Sequence, residues 1–207
     1  ANALRAITSG TLPLSELTGD RLHAALDLCL ECKACTRECP SGVNMTRLKS
    51  EVLHQHHKAH GAPLRSRLFA HIRPGLALAR ALGAPGAWLA QLAHRLGAQR
   101  LLGFAAERSL PLPARSGFMA WWRDTPKPQL ERTHGTVVLF PDTWALYVEP
   151  QIAVAAVRVL WAAGYDVLVP TRQLCCGRPA LSKGLLDQAK AMAQAQLDWL
   201  APYAEAG

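Results

Sequence analysis

Three features are missing from this sequence, and each absence excludes a class of protein. No run of about 18 uncharged apolar residues occurs, so we expect no membrane-spanning helix. The N-terminus lacks a basic segment followed by an apolar one, so we expect no secretory signal peptide. The net charge of +8 over 207 residues is too modest to indicate a nucleic-acid partner by itself.

Acidic residues are almost missing from the middle of the chain, where Glu107 is the only one between residues 61 and 123. The arginines of this stretch are Arg65, Arg67, Arg73, Arg80, Arg95, Arg100, Arg108, Arg115 and Arg123. They predict a solvated helix surface, a docking face for an acidic partner, or a peripheral contact with anionic lipid headgroups. For the lipid interpretation, Trp88, Trp121 and Trp122 are available as interfacial anchors.

The six cysteines are not spread like a disulfide framework. Four lie within one eleven-residue window, and Cys175 and Cys176 are adjacent. In a chain without secretory features, clustered thiols more often bind metal or do redox chemistry. We therefore expect a cytoplasmic protein, and the abundance of Ala, Leu, Arg and Gly suggests a bacterial source.

The first four cysteines and the following proline form the run C-x2-C-x2-C-x3-C-P, at Cys29, Cys32, Cys35, Cys39 and Pro40. This is the spacing of bacterial ferredoxins. A cubane cluster needs one thiolate per iron, and two-residue spacings let a tight loop bind three of its corners. Zinc sites usually pair two C-x2-C units far apart. The run therefore predicts a 4Fe–4S cluster, with a zinc-binding interaction module as the alternative.

The fourth ligand of this cluster stays open. In two-cluster ferredoxins the cysteine before the proline binds the other cluster. Only one such run is present here, so the fourth ligand is Cys39 or one of Cys175 and Cys176. The adjacent pair also suits an additional metal site, or two buried thiols without a metal.

Charged side chains inside the cysteine run act on the reduction potential of a bound cluster. Lys33 and Arg37 favour the added electron and raise the potential. Glu31 and Glu38 oppose this effect, and the sequence leaves the balance open.

A histidine-rich stretch follows at His54, His56, His57 and His60. His56 and His60 are one helical turn apart, as in many zinc pairs. No acidic residue or third aligned histidine reinforces them, so the stretch predicts a solvated helix face instead.

The first part of the chain reads as helical. Residues 1–14 resemble a linker, and residues 15–108 a helical domain. One helix is expected to start near Thr18 and run toward Cys29, and another to have Asn44 as its N-cap and end at Gly61. Residues 109–135 are a proline-rich connector, where we place the domain boundary.

Residues 136–207 change in character. Two apolar runs, Thr136–Phe140 and Tyr165–Val169, predict strands, and a helix from Pro150 to Gly164 lies between them. This order predicts a βαβ unit with parallel strands, followed by a helix over Leu185–Leu200. Two strands do not make a stable parallel sheet alone, so we expect a fragment of a larger α/β domain.

The motifs resemble a known family. Residues 30–45 resemble the iron–sulfur part of bacterial FAD-linked 2-hydroxyacid dehydrogenases, in which a flavin domain and a ferredoxin-like domain share one polypeptide. Residues 140–143, 149–150, 175–179 and 182–186 resemble the cysteine-rich CCG domain that follows it. Heterodisulfide reductase and the iron–sulfur subunits of glycolate oxidase and anaerobic glycerol-3-phosphate dehydrogenase also contain this domain. The chain departs from the glycolate oxidase pattern because it has one ferredoxin run and one CCG motif.

The resemblance implies a mainly α, helical ferredoxin-like N-terminal domain followed by a partial α/β (βαβ) CCG domain. It implies electron transfer from an FAD domain, absent from this chain, that oxidises a 2-hydroxyacid such as D-lactate, D-2-hydroxyglutarate or glycolate. The acceptor would be a quinone or a cytochrome, at the inner face of the membrane. The chain shows no flavin-binding segment, so we expect no catalytic residues and no substrate turnover by this chain alone. The alternative is a subunit of a heterodisulfide reductase-like complex.

Overall fold

The computed structural model describes residues 2–97, 100, 103, 105, 111–129 and 134–205, and these are mainly helical. The predicted connector, residues 109–135, lies partly outside the described residues. Glu107 and Arg108 also lie outside them. The N-terminal elements are α1 (Asn2–Thr8), a 3₁₀ helix (Leu14–Thr18), α2 (Asp20–Asp27), α3 (Ala34–Glu38), α4 (Met45–His60), α5 (Leu64–Ala70), α6 (Ile72–Ala81) and α7 (Gly83–Arg95). The remaining elements are α8 (Phe118–Asp124), β1 (Thr136–Val138), α9 (Thr143–Tyr147), α10 (Pro150–Ala162), β2 (Asp166–Leu168), α11 (Arg178–Ser182) and α12 (Leu186–Glu205).

The chain forms two compact units, and the first of them is discontinuous. The first unit consists of Ala1–His71 with Gly177–Gln194, and the second of Ile72–Cys176 with Ala195–Gly207. This division follows contacts in space, whereas the predicted domain limits of 15–108 and 136–207 follow composition. Those limits, and the ferredoxin-like and CCG assignments, remain predictions.

Helix α4 is the central element of the first unit, and its predicted ends are confirmed. The Asn44 side chain accepts a hydrogen bond from the Arg47 N–H at 3.2 Å, which satisfies one free donor of the first turn. Gly61 follows the last turn with φ of 83°, a backbone conformation that glycine adopts without strain. Between these ends the helix buries Val52 and Leu53.

The apolar core of the first unit includes residues before the first predicted helix. Leu4 and Ile7 of α1 are buried together with Leu22 and Leu26 of α2 and Val52 of α4. Part of the segment predicted to be a linker is therefore a packed helix. Leu4 and Ile7 are separated by less than one helical turn, and a single apolar pair is too short to reveal a helical period in the sequence.

The second unit contains the predicted strand–helix–strand arrangement. Strands β1 and β2 are parallel, with Thr136 opposite Asp166 and Val138 opposite Leu168, and α10 connects them. Each strand is three residues long, shorter than predicted. Its core is a buried cluster around Phe118 of α8, Val157 of α10 and Val167 of β2, against which partly buried tryptophans pack.

Gly184, just before α12, lies against helix α4 in the first unit. Its φ is +68°, and an added Cβ would overlap Leu53 Cβ and lie 2.9 Å from the Leu53 carbonyl carbon. Gly61 has a similar φ of +83°, but an added Cβ there would meet nothing within 4 Å. The two glycines therefore share the conformational requirement and differ in the space around them.

We expect Gly184→Ala to destabilise the protein much more than Gly61→Ala. The positive φ alone should cost about 1–3 kcal/mol at either glycine, and the overlap with Leu53 should add about 1–3 kcal/mol at Gly184. Chemical denaturation followed by circular dichroism measures the free energy of unfolding of both variants. Equal losses would show that the contact between Gly184 and α4 is not tight.

Candidate metal centre

The cysteine loop, defined as residues 29–39, begins where α2 ends and includes α3. The Cys29 N–H donates to the Leu26 carbonyl at 3.0 Å, which continues the last turn of α2. Cys35 lies in α3, and the Cys39 N–H donates to the Cys35 carbonyl at 2.9 Å. Local hydrogen bonds of the helix ends therefore fix the backbone at three of the four cysteines.

The backbone on both sides of Cys32 is left-handed. Glu31 has φ of 57° and Lys33 has φ of 64°, and among the described residues they are the non-glycine residues with positive φ. Each costs about 1–2 kcal/mol for an L-amino acid. Such conformations gather at functional sites when the surrounding structure holds them in place. Here they turn the chain sharply around Cys32.

Backbone N–H groups surround the last cysteine of the loop. Hydrogen bonds from the N–H groups of Val43 and Ser41 lower the pKa of the Cys39 thiol, because they stabilise the thiolate. Desolvation opposes them, and the Gly42 N–H makes a smaller contribution that also lowers the pKa. A thiolate is the form that binds a metal, so the loop favours the ligand form of Cys39.

The four loop cysteines are free thiols, with Cys32 exposed and the other three half-buried. Within the part of the chain that the structure describes, no three Cys, His, Asp or Glu side chains lie together as a ligand set. The donor chemistry nevertheless fits an iron–sulfur cluster, because four thiols lie on one short loop and the pKa of one of them, Cys39, is lowered by backbone N–H groups. The cluster and its ligands remain a proposal.

Lys49 of α4 anchors the cysteine loop, and sequence analysis missed it. Its Nζ donates to the Cys29 carbonyl at 2.8 Å and lies 3.8 Å from Glu31 Oε1. The residue is only 7% exposed. The one signal in the sequence was its position, four residues after Met45 and three before Val52, on the apolar face of the helix.

A cleft of about 650 Å³ adjoins the cysteine loop within the first unit. Glu31 and Lys33 of the loop line it together with Arg47, Glu51 and Arg178. The lining carries both signs of charge, so charge alone selects neither an anionic nor a cationic ligand.

Cys175 and Cys176 follow β2 in the second unit and are free thiols. Cys175 is half-buried and Cys176 is exposed. The cysteine loop belongs to the first unit. The choice between Cys39 and this pair as the fourth ligand therefore stays a prediction for experiment.

The histidine stretch is not the solvated helix face that the sequence suggested, and that interpretation is wrong for two of its members. His54 is buried, and its Nδ1 lies 3.1 Å from the Gly184 carbonyl. The Nε2 of His57 lies 3.0 Å from the Lys183 carbonyl. A carbonyl can only accept, so both rings donate an N–H. The residues that bind them lie about 130 positions away in sequence, which is why the helical pattern alone did not show the contact.

The other histidines form a stack beside α2. The His56 ring lies 4.5 Å from the His23 ring and 4.6 Å from the His60 ring, measured between centroids. His56 Nε2 is 3.5 Å from Asp20 Oδ1. These groups make ring and hydrogen-bond contacts and do not form a set of metal ligands among the described residues.

Two of the three proposed membrane anchors are packed into the protein. Trp121 and Trp122 lie against the core around Phe118, with Trp122 5.9 Å from the Trp161 ring. Both rings remain partly exposed, so their interpretation as interfacial anchors stays a prediction. Trp88 is 62% exposed. No described helix is long and apolar enough to cross a bilayer.

Comparison with known proteins relates the chain to dehydrogenases. Over 192 residues, 88% of this chain, it is 27% identical to D-2-hydroxyglutarate dehydrogenase of Escherichia coli strain K12. Over 86 residues, 42% of this chain, it is 29% identical to one subunit of the anaerobic glycerol-3-phosphate dehydrogenase of the same strain. The matches cover 19% and 22% of those proteins, so the chain spans about a fifth of the length of these curated relatives. No protein-family model and no solved structure matches the chain. The likenesses support a general oxidoreductase role.

We expect the first unit to lose stability as the pH falls. Burial lowers the pKa of His57, and the neighbouring His56, His23 and His54 act in the same direction, whereas the hydrogen bond to Lys183 opposes them. The unfolded chain then binds a proton more readily than the folded one below about pH 6.5. The free energy of unfolding should therefore be highest above that pH and fall below it.

Denaturation at a series of pH values measures this dependence, and His57→Gln is the informative variant. Glutamine keeps a side-chain N–H for the Lys183 carbonyl but cannot be protonated. Its unfolding free energy should fall less steeply with acid than that of the wild type. An unchanged slope would assign the acid sensitivity to other groups.

Proposed function

We propose that this chain binds a 4Fe–4S cluster through Cys29, Cys32, Cys35 and Cys39 and carries electrons within a larger FAD-linked 2-hydroxyacid oxidoreductase. The observation that carries this proposal is the cysteine loop, whose ferredoxin spacing coincides with a left-handed backbone on both sides of Cys32 and with backbone N–H groups that lower the pKa of the Cys39 thiol. The dehydrogenase names of the relatives support the same class of chemistry.

The residues of the chain bind and orient the cluster. The thiolates of the loop are its ligands. The left-handed backbone at Glu31 and Lys33 stands immediately before and after Cys32, whose thiol is exposed. The backbone N–H groups after Cys39 stabilise the negative charge of its sulfur.

A bound cluster of this kind supplies one-electron transfer between a two-electron donor and the next acceptor. The proposed donor is FAD on a domain that this chain does not include, and the proposed acceptor is a quinone or a cytochrome. Substrate oxidation belongs to the flavin domain, so this chain contributes ligand positions, burial and charge. The free thiols suit the reducing cytoplasm as the proposed compartment.

A second arrangement is a separate subunit that works beside a flavin subunit, as in heterodisulfide reductase-like complexes. The match to a protein named as a subunit of a dehydrogenase favours it. Both arrangements give the cysteine loop the same task and differ only in whether one polypeptide or two carry it.

We expect Cys29→Ser, Cys32→Ser and Cys35→Ser each to lose most of the bound iron, because each removes the thiolate that binds one iron atom. The chain is reconstituted with iron and sulfide without oxygen, and iron and acid-labile sulfide are then measured per chain. Brown colour with about four irons per chain indicates the cluster, whereas a colourless protein that binds zinc would support the interaction module.

One control variant and three further cysteine variants complete this experiment. Thr36→Ala, in α3 beside Cys35, should keep the full iron content. Cys39→Ser, Cys175→Ser and Cys176→Ser identify the fourth ligand, since the variant that loses iron removes it. Wild-type iron content in any of the first three cysteine variants would contradict the assignment.

A further inference from the structure

We propose that Lys49 is a positioning residue for the cysteine loop and that its buried charge raises the reduction potential of the cluster bound there, an inference that rests on the proposed function. Lys49 has two effects in this proposal. It ties the loop to α4 through Cys29 and Glu31, and it places a positive charge next to the backbone of Cys29.

The burial of Lys49 is the first observation. Lysine is almost never fully buried unless its ammonium group is paired, yet this residue is 7% exposed on a helix whose neighbouring positions include the buried Ser50 and Val52. Removing a charge from water costs free energy, which the protein retains only when hydrogen bonds and an opposite charge compensate.

The partners of Lys49 are the second observation, because both belong to the cysteine loop. Its Nζ donates to the Cys29 carbonyl at 2.8 Å and lies 3.8 Å from the Glu31 carboxylate, whose side chain is 13% exposed. The two partners stand on either side of Leu30. One side chain of α4 therefore holds the segment in which the loop begins.

The left-handed backbone of Glu31 explains why such an anchor is useful. A non-glycine residue with φ of 57° is strained and persists only where the surrounding structure holds it. The ion pair with Lys49 holds the Glu31 side chain, and the hydrogen bond to Cys29 holds the backbone two residues before it. Together they fix the conformation that turns the chain toward Cys32.

The charge of Lys49 acts on the bound cluster through electrostatics. A reduced cluster carries one more negative charge than an oxidised one, so a nearby cation favours the reduced form and raises the potential. A buried cation is screened much less than an exposed one. The negative charge of Glu31 opposes the effect of Lys49 on the potential. Removing Lys49 alone leaves the Glu31 carboxylate uncompensated within the loop and should lower the potential further.

Lys33 is the matched control for both effects. It is a lysine within the cysteine loop itself, with a left-handed backbone like that of Glu31, and its side chain is exposed to solvent. Lys33→Met removes the same charge from the same neighbourhood without removing a buried anchor.

The experiment compares Lys49→Met, Lys33→Met, Glu31→Gln and the double variant Lys49→Met/Glu31→Gln, each as the whole chain. Hydrogen exchange of the Cys29 amide, which donates to the Leu26 carbonyl, is measured in the iron-free protein, and the midpoint potential in the reconstituted protein. In the iron-free protein, Lys49→Met should accelerate exchange of this amide about tenfold or more, because the start of the loop loses its anchor, whereas Lys33→Met should leave the rate unchanged.

The potentials should follow the charges. Lys49→Met should reduce the ratio of reduced to oxidised protein at a fixed potential about tenfold, equivalent to about 59 mV for one electron. Lys33→Met should shift it much less, and Glu31→Gln should shift it the opposite way. The double variant should return toward the wild type, since both charges are gone.

The outcomes separate this inference from the proposed function. If the wild type binds the cluster and Lys49→Met matches Lys33→Met in both exchange and potential, the inference is overturned and the proposed function stands. If the wild type binds no cluster but the exchange difference appears, the proposed function fails and the positioning role of Lys49 is supported. If Lys49→Met does not fold, Glu31→Gln decides, because an unchanged exchange rate and potential in that variant would refute the anchor.

Discussion

Three side chains of helix α4, those of Lys49, His54 and His57, donate hydrogen bonds to backbone carbonyls of other segments, and these bonds organise the first unit. Lys49 donates to the Cys29 carbonyl, and His54 and His57 donate to the carbonyls of residues 184 and 183. The helix thus holds a loop that precedes it and a turn more than a hundred residues after it. An apolar face alone would pack against any complementary surface. The three donors, by contrast, require backbone carbonyls at specific positions.

The sequence predicted well what depends on neighbours along the chain. The ends of α4 follow from Asn44 and Gly61, and the parallel strand pair follows from two apolar runs with a helix between them. It did not predict that Lys49 is buried, because a lysine on a helix is usually exposed and its partners lie about 20 residues away. Contacts between distant segments leave no periodic trace.

The same distinction applies to the candidate site. The cysteine spacing is local, so the ligands could be proposed directly, but the left-handed backbone at Glu31 could not, since neither glycine nor asparagine marks it. The sequence also left open which surface Trp121 and Trp122 cover, since aromatic residues suit both a membrane interface and a core. The structure shows that both rings pack partly against the core around Phe118.

The discontinuity of the first unit has a consequence for how the protein is made. Residues 72–176 are synthesised between its two segments, so the cysteine loop leaves the ribosome long before Gly177–Gln194 exists. Contacts of such high sequence separation form slowly, and a chain made from its N-terminus reaches them late. Until then Ala70 lacks its packing partners Ala180 and Ala189. The cysteine loop therefore belongs to a unit that stays incomplete until residues 177–194 have been synthesised.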